Sequence, residues 1–330
     1  MKRLLKLTSY PNAANWFTFD SEAEWLENRA QHITATASSA LFGVSPYMTE
    51  FDLYHQLAGN VTPNFVENER MLWGKRLQKA IAQGICDDND WRIVGYHPFL
   101  YAESIAHPRV ACSPDYIIWD DKNPERGYGC LEIKNVDNFI AYKQWEDEEA
   151  PAHIEFQLQH QMGVCGFSWG AIGGLIGGNK ARVLIREADK EAIEAIFSAC
   201  NAMFTRLKIG NPPLADYLAD HDTIRNIYRH SERGSSIDLD MPIQNIDVDK
   251  IEALIATKYQ ADAALKLAKN EQKHANAALL NAIKDAETVI GRGWKVSAPT
   301  ISKAAYTVNY PETTYRHLRV SKLEEKGIFS

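Results

Sequence analysis

Ser113-Pro114-Asp115, separated by 16 intervening residues from Glu132-Ile133-Lys134 at the end of YGCLEIK (residues 128–134), is the stretch from which this chain is read. The run 128–134 has the composition of a short strand. A strand places alternate side chains on one face, so Glu132 and Lys134 point the same way and Ile133 faces the opposite layer. An aspartate at a strand turn meets that face from the neighbouring strand, which brings two carboxylates and an ammonium together. Such hard oxygen donors suit Mg²⁺, and a lysine beside them can hold an attacking water or a phosphoryl oxygen. In outline the cluster is a phosphodiester-hydrolysing site. The competing reading is an exposed Glu–Lys ion pair worth about 0–1 kcal/mol; the apolar flank of Cys130, Leu131 and Ile133 argues against exposure.

Working outward, residues 91–101 and 109–119 have the same β-branched and aromatic character, separated by turn signals such as His107-Pro108. The preceding chain reads as helical: Ser21 with Glu24 forms a capping box, Thr34 or Thr36 starts a helix that ends before Gly43, Thr49 caps another, and residues 67–84 carry Met71, Leu77, Ala80 and Ile81 at helical spacing. After the strands, 153–165 are helical, 169–186 are one or two glycine-rich strands, and 188–208 are an amphipathic helix. The order helices, sheet, helix, strand, helix indicates an α+β (mixed α/β) fold. The domain reading is a core over 1–210 (helical over 16–85, sheet over 91–208), a polar connection over 211–246, and a C-terminal part over 247–330.

In that last part, residues 248–286 contain neither Pro nor Gly and span about 58 Å if helical. Their large apolar residues look too sparse for a sustained heptad, which argues against a long coiled coil. The stretch 293–310 alternates like a strand pair, and residues 288–330 hold 7 basic against 3 acidic residues.

A hydrophobic share of 45% against 24% charged residues excludes a disordered chain. The net charge is −7, yet residues 250–330 carry 13 Lys+Arg against 8 Asp+Glu. Any contact with a polyanion must therefore be local. Five irregularly spaced cysteines read as reduced, buried thiols of a cytoplasmic protein, and no run is long and apolar enough for a signal peptide or a membrane span.

Asp115 with Glu132-Ile133-Lys134 resembles the PD-(D/E)XK nuclease signature. The wider pattern resembles the lambda exonuclease (YqaJ-type viral recombinase) family: Trp25…Arg29…Ile33-Thr34-Ala35, then Gly43-Val44-Ser45-Pro46-Tyr47, Ala111 to Asp115, Leu131 to Lys134, and Gln157 to Met162. These motifs lie in the family's order across residues 16–208. The resemblance implies a restriction-endonuclease-like core, a central mixed sheet flanked by helices, with the long helix and short strands added at the C-terminus.

The resemblance further implies that Asp115, Glu132 and the backbone carbonyl of Ile133 ligate Mg²⁺, with Mn²⁺ as a substitute. Lys134 and Gln157 would orient the attacking water, and Arg29, Thr36 and Ser113 would hold a 5′-terminal phosphate. An Arg fork with two hydroxyls suits a phosphate dianion. Two residues depart from the family: Thr36 stands for a serine, and Gln78, in Gly74-Lys75-Arg76-Leu77-Gln78, stands for a glutamate that supports a metal. Gln78 offers at most indirect support unless another acid, such as Glu69, compensates.

The activity implied is an Mg²⁺-dependent 5′→3′ exonuclease on double-stranded DNA ends. It would leave 3′ single-stranded tails for a phage-type annealing protein, work as a ring-shaped homotrimer, and act in the cytoplasm of a bacterial host with a phage or prophage origin. The rivals are a DNA-end-binding module without turnover and an endonuclease of the same fold. Other features read as structural. Gly173 to Lys180 lacks the ending of a phosphate loop and reads as strand packing or a turn, His153 and His160 share a helix face without a zinc ligand set, and Glu146 to Glu149 reads as a solvated acidic loop.

Overall fold

The computed structural model describes residues 2–5, 9–62, 67–145, 149–240, 247–305, 307–308 and 312–320. They form two compact units, Met1–Ile227 and Tyr228–Ser330.

The first unit begins β1 (Arg3–Leu5), β2 (Ala14–Thr18), α1 (Glu22–Arg29), β3 (Ile33–Thr34), α2 (Ala35–Ser38), α3 (Glu50–Leu57) and α4 (Glu69–Asn89). It continues with β4 (Trp91–Gly95), β5 (Tyr101–Ser104), β6 (Val110–Cys112), β7 (Tyr116–Asp120), β8 (Tyr128–Val136) and α5 (Asn138–Gln144). It closes with α6 (Ala152–Cys165), β9 (Trp169–Ile176), β10 (Lys180–Glu187), α7 (Lys190–Ile209) and α8 (His221–Ile227). The strands make two mixed sheets, ordered β1-β2-β5-β6-β3 and β10-β9-β8-β7-β4. The fold is mixed α/β, as the order of elements in the sequence indicates.

Caps place the helices. Ser21 accepts from the Glu24 N–H at the start of α1, and Thr49 and Asp52 exchange both bonds of a capping box at α3. The N-terminal region is not wholly helical, as β2 and β3 show. Ala14 and Trp16 alternate into the core, a period-two pattern too short to stand out beside the helix signals. Helix α4 runs five residues beyond the expected end at 84, because Ile85 and Cys86 pack into the core under the sheet and Gly84 is tolerated in mid-helix.

The expected strand 109–119 is two strands in two sheets. Pro114 has no N–H for a ladder, so the chain leaves the first sheet after Cys112 and enters the second at Tyr116. The turn Ser113-Pro114-Asp115 thus lies where the sheets part.

Strands β8 and β9 pair in parallel from Gly129↔Trp169 to Val136↔Ile176, with α5 and α6 in the crossover. Glycines let this centre close: a Cβ on Gly173 would stand 2.5 Å from Ile85 Cδ1. Gly177 and Gly178 turn the chain into β10 with φ of +59° and +76°. This is the packing and turn expected for that stretch. All five cysteines are buried.

The second unit holds α9 (Val248–Ile283), capped by Asp247, and an antiparallel hairpin of β11 (Thr288–Gly291) and β12 (Trp294–Ser297). The strand pair therefore starts earlier than the expected 293–310, because Arg292 and Gly293, both at positive φ, form the turn. Residues 298–305 are not strand, and residues 306, 309–311 and 321–330 lie outside the described residues. The acidic stretch 146–148 lies outside them too.

Candidate active site

The antiparallel register of β7 and β8 pairs Tyr116 with Leu131, which puts Asp115 across from Glu132. Asp115 Oδ2 accepts the Ile133 N–H at 2.8 Å, pinning the turn to the strand. Along β8 the side chains alternate. Leu131 and Ile133 enter the core beneath α4, whereas Glu132 and Lys134 face α6.

Helix α6 supplies two glutamines one turn apart. Lys134 Nζ donates to Glu132 Oε1 at 2.6 Å and to Gln157 Oε1 at 3.1 Å. Gln161 Nε2 donates to Glu132 Oε2 at 2.7 Å. Glu132 is 3% exposed, so both its oxygens are fixed by donors in a water-poor setting. From the α4 side, the Gln78 side chain comes close enough to the Asp115 carboxyl to favour its charged form. Asp115, Glu132, Lys134, Gln157 and Gln78 therefore form one connected cluster, with Ile133 as its backbone member. Glu69 starts α4, nine residues before Gln78 and about 13 Å along the helix axis, too far to stand in for it.

The charges of this cluster do not balance. Burial, with the neighbouring Glu132 charge adding to it, pushes the Asp115 carboxyl well above the usual carboxylate range, against the pull of Lys134, the Ile133 N–H and Gln78. Burial acts to depress the Lys134 ammonium, but Glu132 and Asp115 outweigh it and raise its pKa. Two carboxylates share one lysine, so an added cation would relieve the site. Among the described residues no group of three or more His, Cys, Asp or Glu side chains could hold a metal. Two carboxylates nevertheless suit Mg²⁺, which binds through one or two of them and keeps waters or takes phosphate oxygens for the rest.

The three residues expected to bind a phosphate gather at the neighbouring sheet. The parallel pair Thr34↔Ala111 carries Thr36 and Ser113 out of the same end of β3 and β6. Trp25 Nε1 donates to Ser113 Oγ at 3.0 Å, and the Arg29 guanidinium lies 4.3 Å from the Trp25 ring centroid. Trp25 thus joins Arg29 to Ser113. Arg29 is half-buried on α1, has no ion-pair partner within reach among the described residues, and is depressed in pKa by burial against the pull of Tyr101, Glu132 and Asp115. Thr36 is exposed, and its carbonyl accepts from Ser39.

Two participants had no role in the sequence reading, Gln161 and Trp25. Gln161 stands four residues after Gln157, a spacing that puts both on one helix face. His160 has a structural place: it is fully buried, one ring nitrogen is 3.0 Å from the Ala111 carbonyl, and burial pulls its pKa down to about 4. His153 lies against the Tyr47 ring.

Residues 24–168 match the model of the YqaJ-like viral recombinase domain. The uncharacterized protein YqaJ of Bacillus subtilis (strain 168) is 27% identical over 227 residues, covering 66% of this chain and 67% of that one. Among solved structures, an alkaline exonuclease (LHK-Exo) from Laribacter hongkongensis aligns over 61% of this chain and 98% of its own, at 18% identity and a TM-score of 0.44. LHK-Exo in complex with dAMP aligns over the same shares at 19% identity and a TM-score of 0.44.

Proposed function

We propose, from the match of residues 24–168 to the model of the YqaJ-like viral recombinase domain, that the chain is an Mg²⁺-dependent exonuclease that digests double-stranded DNA ends in the 5′→3′ direction. The observation that carries this reading is the cluster in which Lys134 bridges Glu132 and Gln157 while Asp115 stands across the strand from Glu132.

Asp115, Glu132 and the Ile133 carbonyl would hold the Mg²⁺, which when bound supplies Lewis-acid stabilisation of the charge that develops on the scissile phosphate. Mn²⁺ fits the same oxygen donors. The residues of the chain do the rest. Lys134 Nζ, with a donor left after bonding Glu132 and Gln157, aims at the attacking water or a phosphoryl oxygen. The Gln157 carbonyl fixes the lysine head. Gln161 and Lys134 hold Glu132 in one orientation, so no reorganisation is needed during reaction.

Arg29, Ser113 and Thr36 receive a 5′-terminal phosphate, with Trp25 ordering the first two. An unpaired guanidinium in a half-buried position favours a dianion over solvent. This pocket sets polarity, because a strand anchored by its 5′ end presents the adjoining phosphodiester to the cluster.

The products are nucleotides and a 3′ single-stranded tail, the substrate of a single-strand annealing protein. A homotrimeric ring closed around DNA reconciles processive digestion with a net charge of −7, since topological confinement needs only a locally basic channel. The setting is the cytoplasm of a bacterial host of phage or prophage DNA. Incubation with linear and covalently closed duplex in Mg²⁺ tests the reading: consumption of the linear form alone supports it, nicking of the circle points to an endonuclease, and retarded but intact linear DNA points to an end-binding module.

A further inference from the structure

The turn between α2 and α3 holds an exposed aromatic ring beside the cluster of Lys134 and Gln157. Tyr47 is 71% exposed, and its ring meets that of His153 edge to face, with centroids 5.7 Å apart and planes at 87°. Such a contact covers at most one face of the tyrosine. His153 stands on α6 four residues before Gln157, which accepts from Lys134, and residues four apart share a helix face. The same closeness is felt electrostatically: after Glu132 and Asp115, Tyr47 is a further group that raises Lys134 against its burial, and the Lys134 charge adds to the burial that depresses the His153 imidazole.

The turn that carries Tyr47 is held at several points. Gly43 takes φ of +67°, and the Val44 N–H donates to the Ser39 carbonyl. The Tyr47 N–H donates to Ser45 Oγ at 3.2 Å, Pro46 fixes its own φ, and the Thr49 capping box starts α3 directly afterwards. Phe42 ties the turn to α6 by packing on Phe156, with ring centroids 4.7 Å apart. An aromatic side chain already ordered on such a turn binds a partner with little further loss of entropy. Residues 43–49 (GVSPYMT) carry no charge, so what they offer DNA is a ring face and not an ion pair.

We propose that Tyr47 stacks on the base of the second nucleotide of the digested strand, the one on the 3′ side of the bond that is cut. The inference rests on the exonuclease reading above and deepens it. The order of contacts along α6 selects that nucleotide. His160 reaches the Ala111 carbonyl, two residues before Ser113 in the phosphate pocket; Gln157 reaches Lys134; His153 reaches Tyr47. The steps are three and four residues, about 4.5 and 6 Å of helix rise, so Lys134 lies between the phosphate pocket and Tyr47. A strand with its 5′ phosphate in the pocket and its next phosphodiester at Lys134 brings its second nucleotide to Tyr47. After hydrolysis that nucleotide is the new 5′ end, so the ring retains the strand while the first nucleotide leaves.

The test uses the full chain as wild type, Tyr47→Ala and Tyr47→Phe, on a 5′-phosphorylated duplex that is either intact or abasic at the second nucleotide. On intact DNA, Tyr47→Ala should lower kcat/KM about tenfold or more, whereas Tyr47→Phe, which keeps the ring, should match the wild type. On the abasic duplex the wild type should fall to the level of Tyr47→Ala, because the ring then has no base to meet. A second readout needs no turnover. With 5-iodouracil at the second position and EDTA present, irradiation should cross-link the DNA to the peptide containing Tyr47, and Tyr47→Ala should remove that product. Two losses that simply add, Tyr47→Phe as poor as Tyr47→Ala, or a cross-link that maps elsewhere would each overturn the proposal. A wild type that leaves linear duplex intact defeats the exonuclease reading instead, and the cross-link then decides for or against the stacking contact.

Discussion

Gln161 donates its side-chain amide to Oε2 of Glu132 at 2.7 Å from a fully buried position on α6. Glu132 therefore owes its orientation to a side chain 29 residues away in sequence as well as to Lys134 beside it. Gln161→Leu removes the donor and leaves a buried carboxylate oxygen unpaired, a loss of about 1.5–3 kcal/mol. Both the thermal midpoint and the exonuclease rate should fall. An unaltered rate would show that Glu132 holds its position without Gln161.

Lys134→Ala should abolish turnover and also destabilise the fold, because buried Glu132 loses the ammonium that hydrogen-bonds its Oε1. Removing one partner of such a pair costs about 3–5 kcal/mol. Glu132→Gln in the same background should recover stability but not activity. Equilibrium denaturation of the single and double variants measures the first effect and DNA digestion the second.

The nearness of Gln78 to the Asp115 carboxyl makes the glutamine's effect on the site testable. Gln78→Glu adds a third carboxylate to a site already short of positive charge. The metal-free protein should melt at a lower temperature, and Mg²⁺ should raise the melting point more than it does in the wild type. Superimposable Mg²⁺ titrations of the two proteins would remove the charge argument.

His160 gives a pH signature. Its native pKa of about 4 lies below the ordinary histidine value of 6.5, so the unfolded chain takes up its proton first as pH falls. Stability from this group is whole above about pH 6.5 and declines toward pH 4, by about 3 kcal/mol in all. Urea denaturation at pH 7 and pH 4.5 should show His160→Gln losing less stability than the wild type over that interval.

Much of the site is local in sequence and so can be read there. The alternation that puts Glu132 and Lys134 on one face is a property of any strand, and the Asp115 turn precedes it by a hairpin. The splitting of 109–119 is less legible, since Pro114 signals an interruption without saying that the two halves join different sheets. The placement of Gln78 and Gln161 depends on which faces α4 and α6 present to the sheet, a matter of tertiary packing. The short strands β2 and β3 were hidden because their stability comes from pairing with β5 and β6, distant in sequence.

Arg29→Ala should remove discrimination between 5′-phosphorylated and 5′-hydroxyl duplex ends while leaving the fold intact, because the guanidinium has no ion pair to lose among the described residues. Equal rates on both ends by the wild type would make Arg29 an ordinary helix residue.

The most direct measurement follows the fate of label at each end of a linear duplex in Mg²⁺. With the wild type, 5′-terminal label should appear as released nucleotide in the earliest turnovers while 3′-terminal label stays in a long single strand, and Asp115→Asn should release neither. Earlier release of the 3′ label, or digestion by Asp115→Asn at the wild-type rate, would contradict the account.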